Sequence, residues 1–331
     1  MKTAIVILNW NGRGLHEKFL PSIVQFSKIE GVTIYVADNA STDNSISFVE
    51  ENYPSIQLIK NKSNGGFSKG YNDALQHIDA DIFALVNSDI EVTKNWLDPV
   101  LALFVKEPTT AIIQPKILDY KQKELFEYAG AGGGFIDKFG YPYCRGRIFS
   151  ELEKDESQFN DTSSIFWASG ACFFIRAAVF KELKGFDEDY FAHQEEIDLC
   201  WRAKNLNKEI KYVGTSTVYH VGGATLKEES PRKSFLNFRN SLFSLVKNLP
   251  KNQILPIVFI RLILDGVAGV KFLFELRPIH TLAIFKAHFS FYYYVSRIYR
   301  KRDSKQTTSY FNIKSIVWSY FISGIKKFEN L

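Results

Sequence analysis

A chain of 331 residues with 46% hydrophobic residues and no low-complexity tract or repeat is globular and long enough to bury a large core. Cys144, Cys172 and Cys200 are odd in number and lack CxxC spacing, which argues against a disulfide framework or a zinc site and suits a reducing compartment. The net charge of +5 hides a split: residues 231–331 hold 17 Lys and Arg against four acids, a net of +13 that leaves −8 for residues 1–230. So basic a segment faces something anionic, nucleic acid or a membrane surface.

Residues 3–8 read as the first strand, with Asn9-Trp10-Asn11-Gly12 as the polar break after it. This apolar run is too short for a signal peptide. A helix follows to about residue 28, with Pro21 inside it. Residues 33–37 form the second strand, ended by Asp38-Asn39-Ala40-Ser41-Thr42-Asp43, where Ser41 or Thr42 is a good N-cap for a helix to Asn52. Residues 56–59 are the third strand. The loop 61–70, with Gly65 and Gly66, leads into a helix to about His77. The apolar run 82–86 is a buried central strand that ends abruptly in Asn87, Ser88 and Asp89.

This alternation implies a parallel sheet with right-handed crossovers. Four successive strand ends then present polar groups or bare backbone to one edge, where open α/β sheets bind ligands. Gly65 and Gly66 permit close approach of backbone to such a ligand. GxGxxG and P-loop patterns are absent. Oxygen ligands at a strand end, Asp89 above all, suit Mg²⁺ or Mn²⁺ shared with substrate phosphates. The ordinary alternative is an Asx turn and a helix cap.

Residues 111–115 form another strand, 130–134 a flexible turn and 150–162 a polar, mobile loop. Residues 167–176 read as a strand, followed by a helix to Leu183. Asp187, Glu188, Asp189, Glu195, Glu196 and Asp198 place six acids within 12 residues. The last three open a helix, where the dipole favours acids, yet such crowding calls for cations or substrate hydroxyls nearby. Residues 210–219 are the final strand, ended by His220 and Val221-Gly222-Gly223, a position for a metal or phosphate contact.

Together these motifs resemble the inverting family-2 glycosyltransferases with the GT-A fold, particularly the rhamnosyltransferase-like branch. The matching marks, in order, are residues 6–11, 38–43, Asn64-Gly65-Gly66-Phe67 with Gly70 and Asn72, Asn87-Ser88-Asp89, residues 185–188, residues 195–202 and Val218-Tyr219-His220. The resemblance implies an α/β fold: a mixed, mostly parallel, Rossmann-like sheet with helices on both faces, plus a C-terminal helical region. It implies a GT-A domain over 1–230, divided into a nucleotide-sugar half (1–110) and an acceptor half (111–230). It implies a donor site of Asn9, Asn11, Asp38, Asn39, Asn64, Gly65, Gly66, Asn72, Asn87, Ser88 and Asp89, with Asp38 accepting the N3–H of uracil or thymine. Asp89 would hold Mg²⁺ or Mn²⁺ on the diphosphate, and His220 would add a metal or diphosphate contact. Glu196 falls at the catalytic base, with Glu195 and Asp198 as competing carboxylates. Trp167 to Gly170 and Phe186, Asp187 and Tyr190 would shape the acceptor site. Two departures stand out: Asn87 is neutral where the metal motif begins, and Glu196 stands where Asp is commoner.

The resemblance assigns a nucleoside-diphosphate sugar, UDP- or dTDP-linked and rhamnose among the candidates, as donor. The acceptor is a glycan or lipid-linked molecule in cell-surface polysaccharide synthesis. A sugar nucleotidyltransferase and a non-catalytic nucleotide-sugar binder are the alternatives, told apart by their products. Residues 231–331 are helical, aromatic and basic. Neither 254–274, interrupted by Arg261, Asp265 and Lys271, nor 278–296 is a clean spanning helix. Phe291 to Tyr294 followed by Arg297, Arg300, Lys301 and Arg302 pairs aromatics with cations and suits an interfacial helix on anionic lipid. A basic subdomain packed on the catalytic domain, or a homodimer element, is the alternative. No nucleic-acid-binding module is visible. These readings place the protein peripherally on the cytoplasmic side of the cell membrane.

Overall fold

The computed structural model describes residues 1–222 and 230–331; Gly223 and the expected end of the resemblance near Thr225 lie outside them. The chain opens with β1 (Thr3–Asn9), α1 (Arg13–Phe26), β2 (Val32–Asp38), α2 (Ser45–Asn52), β3 (Gln57–Lys60), α3 (Gly66–Leu75) and β4 (Ile82–Asn87). β5 (Ile90–Val92), α4 (Asp98–Lys106) and β6 (Thr110–Asp119) follow. Then come the short strands β7 (Gly134–Ile136), β8 (Pro142–Cys144), β9 (Arg147–Ile148), β10 (Glu151–Leu152) and β11 (Thr162–Ser164). The sheet is completed by β12 (Cys172–Arg176), α5 (Ala177–Glu182), α6 (Glu195–Asn205) and β13 (Glu209–His220). The C-terminal region is α7 (Pro231–Asn248), α8 (Lys251–Phe274), α9 (Pro278–Arg300) and α10 (Ile316–Phe321).

The main sheet has nine strands, in the order β11-β13-β6-β12-β4-β1-β2-β3 with β5 paired to β13. β3, β2, β1 and β4 are mutually parallel, β12 runs antiparallel between β4 and β6, and β13 returns parallel to β6. β1 is apolar at nearly every position because helices cover both faces: Ala4 and Val6 join one core, Ile5 and Ile7 the other. β7 to β10 form a separate antiparallel sheet.

Register carries the strand ends to one line. Asn9 lies opposite Asp38, and Asn87 opposite Leu8. Three expected elements differ. The second helix starts at Ser45 because the Ser41 hydroxyl and amide both donate to Asp38, and the Thr42 amide donates to Asn11. The strand expected over 167–176 begins only at Cys172, since the Trp167 indole donates to Phe135 O and the Ser169 amide to Gln114. The polar stretch 150–162 contains β10 and is tied down by Lys116–Asp155 (2.7 Å) and Arg145–Asp161 (2.6 Å) ion pairs.

The cations demanded by the acid-rich stretch come from residues 231–331. Lys247 on α7 donates to Asp187 (2.7 Å) and Asp198 (2.9 Å), and Asn248 donates to the other oxygen of Asp198. Arg202 completes the enclosure of Asp198 at 2.8 Å. Lys301 pairs with Asp187 and Asp189, and Arg297 with Asp189 at 2.6 Å. Arg302 donates to the carbonyl oxygens of Val246 and Leu249, and Phe291 is buried. Phe291, Lys301 and Arg302 of the 291–302 run expected to meet lipid are therefore engaged inside the protein, while Tyr292, Tyr293, Tyr299 and Arg300 stay exposed.

Burial alone would raise Asp187 and Asp198, but Lys247 with Lys301 on the first, and Arg202 with Lys247 on the second, hold both below the usual range. Their contribution is present above the ordinary aspartate value and is lost as the pH falls toward the depressed ones. Lys247→Met removes the cation shared by two buried carboxylates, leaving Asp187 to Lys301 and Asp198 to Arg202 and Asn248, and should cost about 3 kcal/mol at neutral pH. Urea titrations should show the gap between parent and variant narrowing as the pH drops below about 4.

Candidate functional site

The donor-side edge is built from side chains that hold one another. Asn9 is fully enclosed; its amide donates to Asp38 (2.9 Å), Ser41 (3.1 Å) and Ser45 (2.9 Å). Asp38 is fixed in turn, its second oxygen accepting only the Ser41 amide among the described residues, so a lone pair remains. Asn11 caps the 41–43 turn through its carbonyl oxygen. Asn39 donates to Gly66 O (3.0 Å) and accepts from Asn61 (2.8 Å). Asn64 accepts from the Gly66 amide, and Gly66 adopts φ +80°, where an added Cβ would lie 2.7 Å from Phe191 O.

Several of the residues expected to contact ligand brace their neighbours through hydrogen bonds or packing. Asn9 and Asn39 belong here. So does Asn72, whose amide exchanges two 2.9 Å hydrogen bonds with the Phe186 backbone and so pins α3 to the 185–188 turn. Asp187 and Asp198 are locked by Lys247, and the buried Tyr190 hydroxyl meets Ser244 at 3.0 Å. Trp167 and Phe186 are buried, the latter among Phe67, Tyr71 and Phe180. Asp198 cannot act as a base with both oxygens taken by Arg202, Lys247 and Asn248.

Asp89 lies just past β4, and its Oδ1 lies 3.2 Å from His220 Nε2. The other ring nitrogen lies 3.1 Å from Glu127, an ion-pair contact rather than an aligned hydrogen bond. Burial would lower the imidazole, but Glu127 and Asp89 outweigh it and raise His220 to about 10. His220 thus stands between two carboxylates at the edge that bears Asp89, the place expected for a metal or diphosphate contact. Asp89 Oδ2 has no partner among the described residues, and Asn87 and Ser88 stand half-buried beside it. That donor set fits a hard divalent cation completed by phosphate oxygens. No cluster of three or more His, Cys, Asp or Glu suited to a metal occurs among the described residues.

Across the same edge, β12 pairs with β4 so that Ala171 O accepts the Asn87 amide. This sets Gly170 beside the donor edge. A Cβ at Gly170 would lie 3.8 Å from the Glu196 carboxyl carbon, so the missing side chain leaves Glu196 open to the crevice. Glu196 is half-buried in the first turn of α6, and burial pushes it up to about 7 against the pull of the nearby amides. Glu195 is buried with Oε2 unpartnered, and burial together with the Glu196 charge raises it well above the carboxylate range.

The loop before α6 has left-handed φ at Phe191, His193 and Gln194. Asn240 of α7 holds it by donating to the carbonyl oxygens of Tyr190, Ala192 and His193, and Arg239 donates to Asp189 O and Tyr190 O. Sequence reasoning did not find Glu127, Asn240 or Lys247. Glu127 sits in a stretch without periodicity, whereas the uncompensated acids pointed to cations such as Lys247.

A mixed sheet whose parallel strands end in a polar crevice, with a half-buried carboxylate facing it, is the layout of a glycosyltransferase with the GT-A fold. Residues 5–184, over half of the chain, match the profile of Glycosyl transferase family 2, and the chain belongs to that family. The N-acetylglucosaminyl-diphospho-decaprenol L-rhamnosyltransferase of Mycobacterium tuberculosis (strain ATCC 25618 / H37Rv) is 25% identical over 222 residues, 62% of this chain and 71% of that one. Mannosyltransferase PcManGT from Pyrobaculum calidifontis, in complex with GDP-Man and Mn²⁺, superposes with a TM-score of 0.55 at 13% identity, over 88% of this chain and 87% of that one. S. aureus TarS 1-349 in complex with UDP-GlcNAc gives 0.56 at 16% identity, over 91% and 84%.

Asn240→Ala should cost about 1–3 kcal/mol by leaving buried carbonyls short of a donor. Amide exchange should quicken over residues 190–196 while the β1 and β4 amides stay protected.

Proposed function

We propose that the chain transfers a sugar, with inversion, from a UDP- or dTDP-linked donor to a hydroxyl of a glycan or lipid-linked acceptor in cell-surface polysaccharide synthesis. The observation that carries this reading is Glu196, half-buried and raised to about 7, opening through Gly170 onto the edge that bears Asp89. In one displacement the acceptor oxygen bonds to the anomeric carbon as the bond from that carbon to the diphosphate breaks. Glu196 takes the hydroxyl proton, and the electron pair leaves with the nucleoside diphosphate. The remaining lone pair of Asp38 suits the N3–H of uracil or thymine, and the 64–66 loop suits the nucleotide. Asp89, with Asn87 and Ser88, would hold Mg²⁺ or Mn²⁺, which neutralises charge on the leaving diphosphate. The decaprenyl-linked substrate in the mycobacterial relative's name supports a lipid-linked acceptor, and its rhamnosyl donor makes dTDP-rhamnose the first sugar to try. Such an acceptor supports a peripheral place on the cytoplasmic side of the membrane. Among the described residues no helix is long and apolar enough to cross one.

Nucleotide sugars of the uridine and thymidine series should be compared for binding and turnover. Release of free nucleoside diphosphate supports transfer; pyrophosphate would mark a nucleotidyltransferase, and neither a binding protein. Glu196→Gln should keep donor binding and lose roughly a hundredfold or more in kcat. For the parent, kcat/KM should rise with pH through about 7 as Glu196 becomes able to accept a proton. Asp89→Ala should abolish metal-dependent donor binding by calorimetry, and full activity in excess chelator would remove the metal role.

A further inference from the structure

The helix pair α8–α9 is inverted relative to one that faces water. Its exposed positions from 255 to 270 on α8 are all apolar, Phe259, Ile263 and Val267 among them. Those from 279 to 294 on α9 are apolar or Tyr except Lys286. At the turn between the helices Phe274 and Leu276 are 85% and 88% exposed. Two of the three charges that interrupt α8 point inward instead. Arg261 and Asp265 pair at 2.8 Å and are buried. Around them the Tyr141 hydroxyl (3.1 Å) and His288 (3.2 Å) meet Asp265, and Arg261 donates to Ser241 at 2.7 Å. An amphipathic helix in water does the reverse, and so extended an exposed apolar surface marks a binding face.

We infer that the outward face of α8–α9 is seated in the interfacial layer of an anionic bilayer. Its side chains lie among the acyl chains, and the exposed Lys251, Lys271 and Lys286 lie at the headgroups. Charge selects this occupant over a second copy of the chain. The face exposes Lys251 and Lys286, with Lys271 paired to Glu275, and pairing the face with itself would set these cations against their own copies, whereas anionic headgroups complement them. Exposed Tyr292, Tyr293 and Tyr299 are amphipathic rings of the kind found at headgroup depth. Between the helices an apolar groove of about 440 Å³, walled by Ile254, Val258, Leu262 and Val295 with Lys251 at its rim, matches an acyl chain ending in a phosphate. The contact is thus the outward face of the hairpin, which takes in the exposed tyrosines of the 291–302 run. It gives the proposed lipid-linked acceptor a surface, but it is read without donor or acceptor, so its failure and that of the transfer reading are distinguishable.

The full chain is sedimented with phosphatidylglycerol–phosphatidylcholine vesicles and with pure phosphatidylcholine. Preference for the anionic vesicles, weakened only in part by salt, is expected. Phe259→Glu with Phe289→Glu should lower the partition by about tenfold or more, with melting temperature and nucleotide binding unchanged. For the unaltered chain, photoactivatable lipid should label peptides within 251–293, a readout independent of how the variants fold. Absence of vesicle binding, equal partition of parent and variant, or labelling confined to other segments overturns the inference. So does a dimer in sedimentation velocity that the double variant dissociates.

Discussion

Lys247 stands between Asp187 and Asp198, 2.7 and 2.9 Å from their carboxylates, in an interior where neither acid is affordable alone. One of these acids belongs to the turn that precedes the 190–194 loop, the other to the first turns of α6, the helix that carries Glu196. The lysine comes from α7, far along the chain. The position of Glu196 over the crevice therefore depends on a contact between the sheet half and the helical region. Asn240 and Arg239 extend it to the strained backbone of residues 190–194.

The same arrangement explains the charge split. Part of the excess acid in residues 1–230 and part of the excess base in 231–331 meet inside the molecule, at Asp187, Asp189 and Asp198. On the donor side the physics is different. Asn9, Ser41 and Ser45 form a neutral hydrogen-bonded cradle for Asp38, which keeps the carboxylate oriented without pairing it to a cation.

The sheet and its crevice were legible in the sequence because buried parallel strands read as apolar runs, and 3–8, 33–37 and 82–86 end abruptly in Asn or Asp. The division of labour among the site residues was not. Asn9, Asn39 and Asn72 have the chemistry of ligand contacts, and only long-range partners such as Phe186, 114 positions from Asn72, reveal them as braces. Likewise Glu195, Glu196 and Asp198 share one helical turn. Their fates diverge because α6 turns Asp198 toward α7, buries Glu195 and leaves Glu196 beside Gly170. The tail was read correctly as aromatic, basic and without a clean span, but helical register decides which side chains face out. That register turns Arg261 and Asp265 inward and Phe259 and Ile263 outward.

Lys301 reaches Asp187 and Asp189 from the C-terminal end of α9, which has a consequence for biosynthesis. A ribosome releases the sheet strands and the acid-rich turn long before it releases their counter-cations, and domains tend to fold in the order in which they emerge. During that interval the nascent chain carries Asp187 and Asp189 without the cations that pair with them in the folded protein. Full charge pairing of the 187–198 stretch therefore waits until α9 has emerged. The C-terminal helices thus tie the order in which the chain emerges to the order in which its acids find their cations.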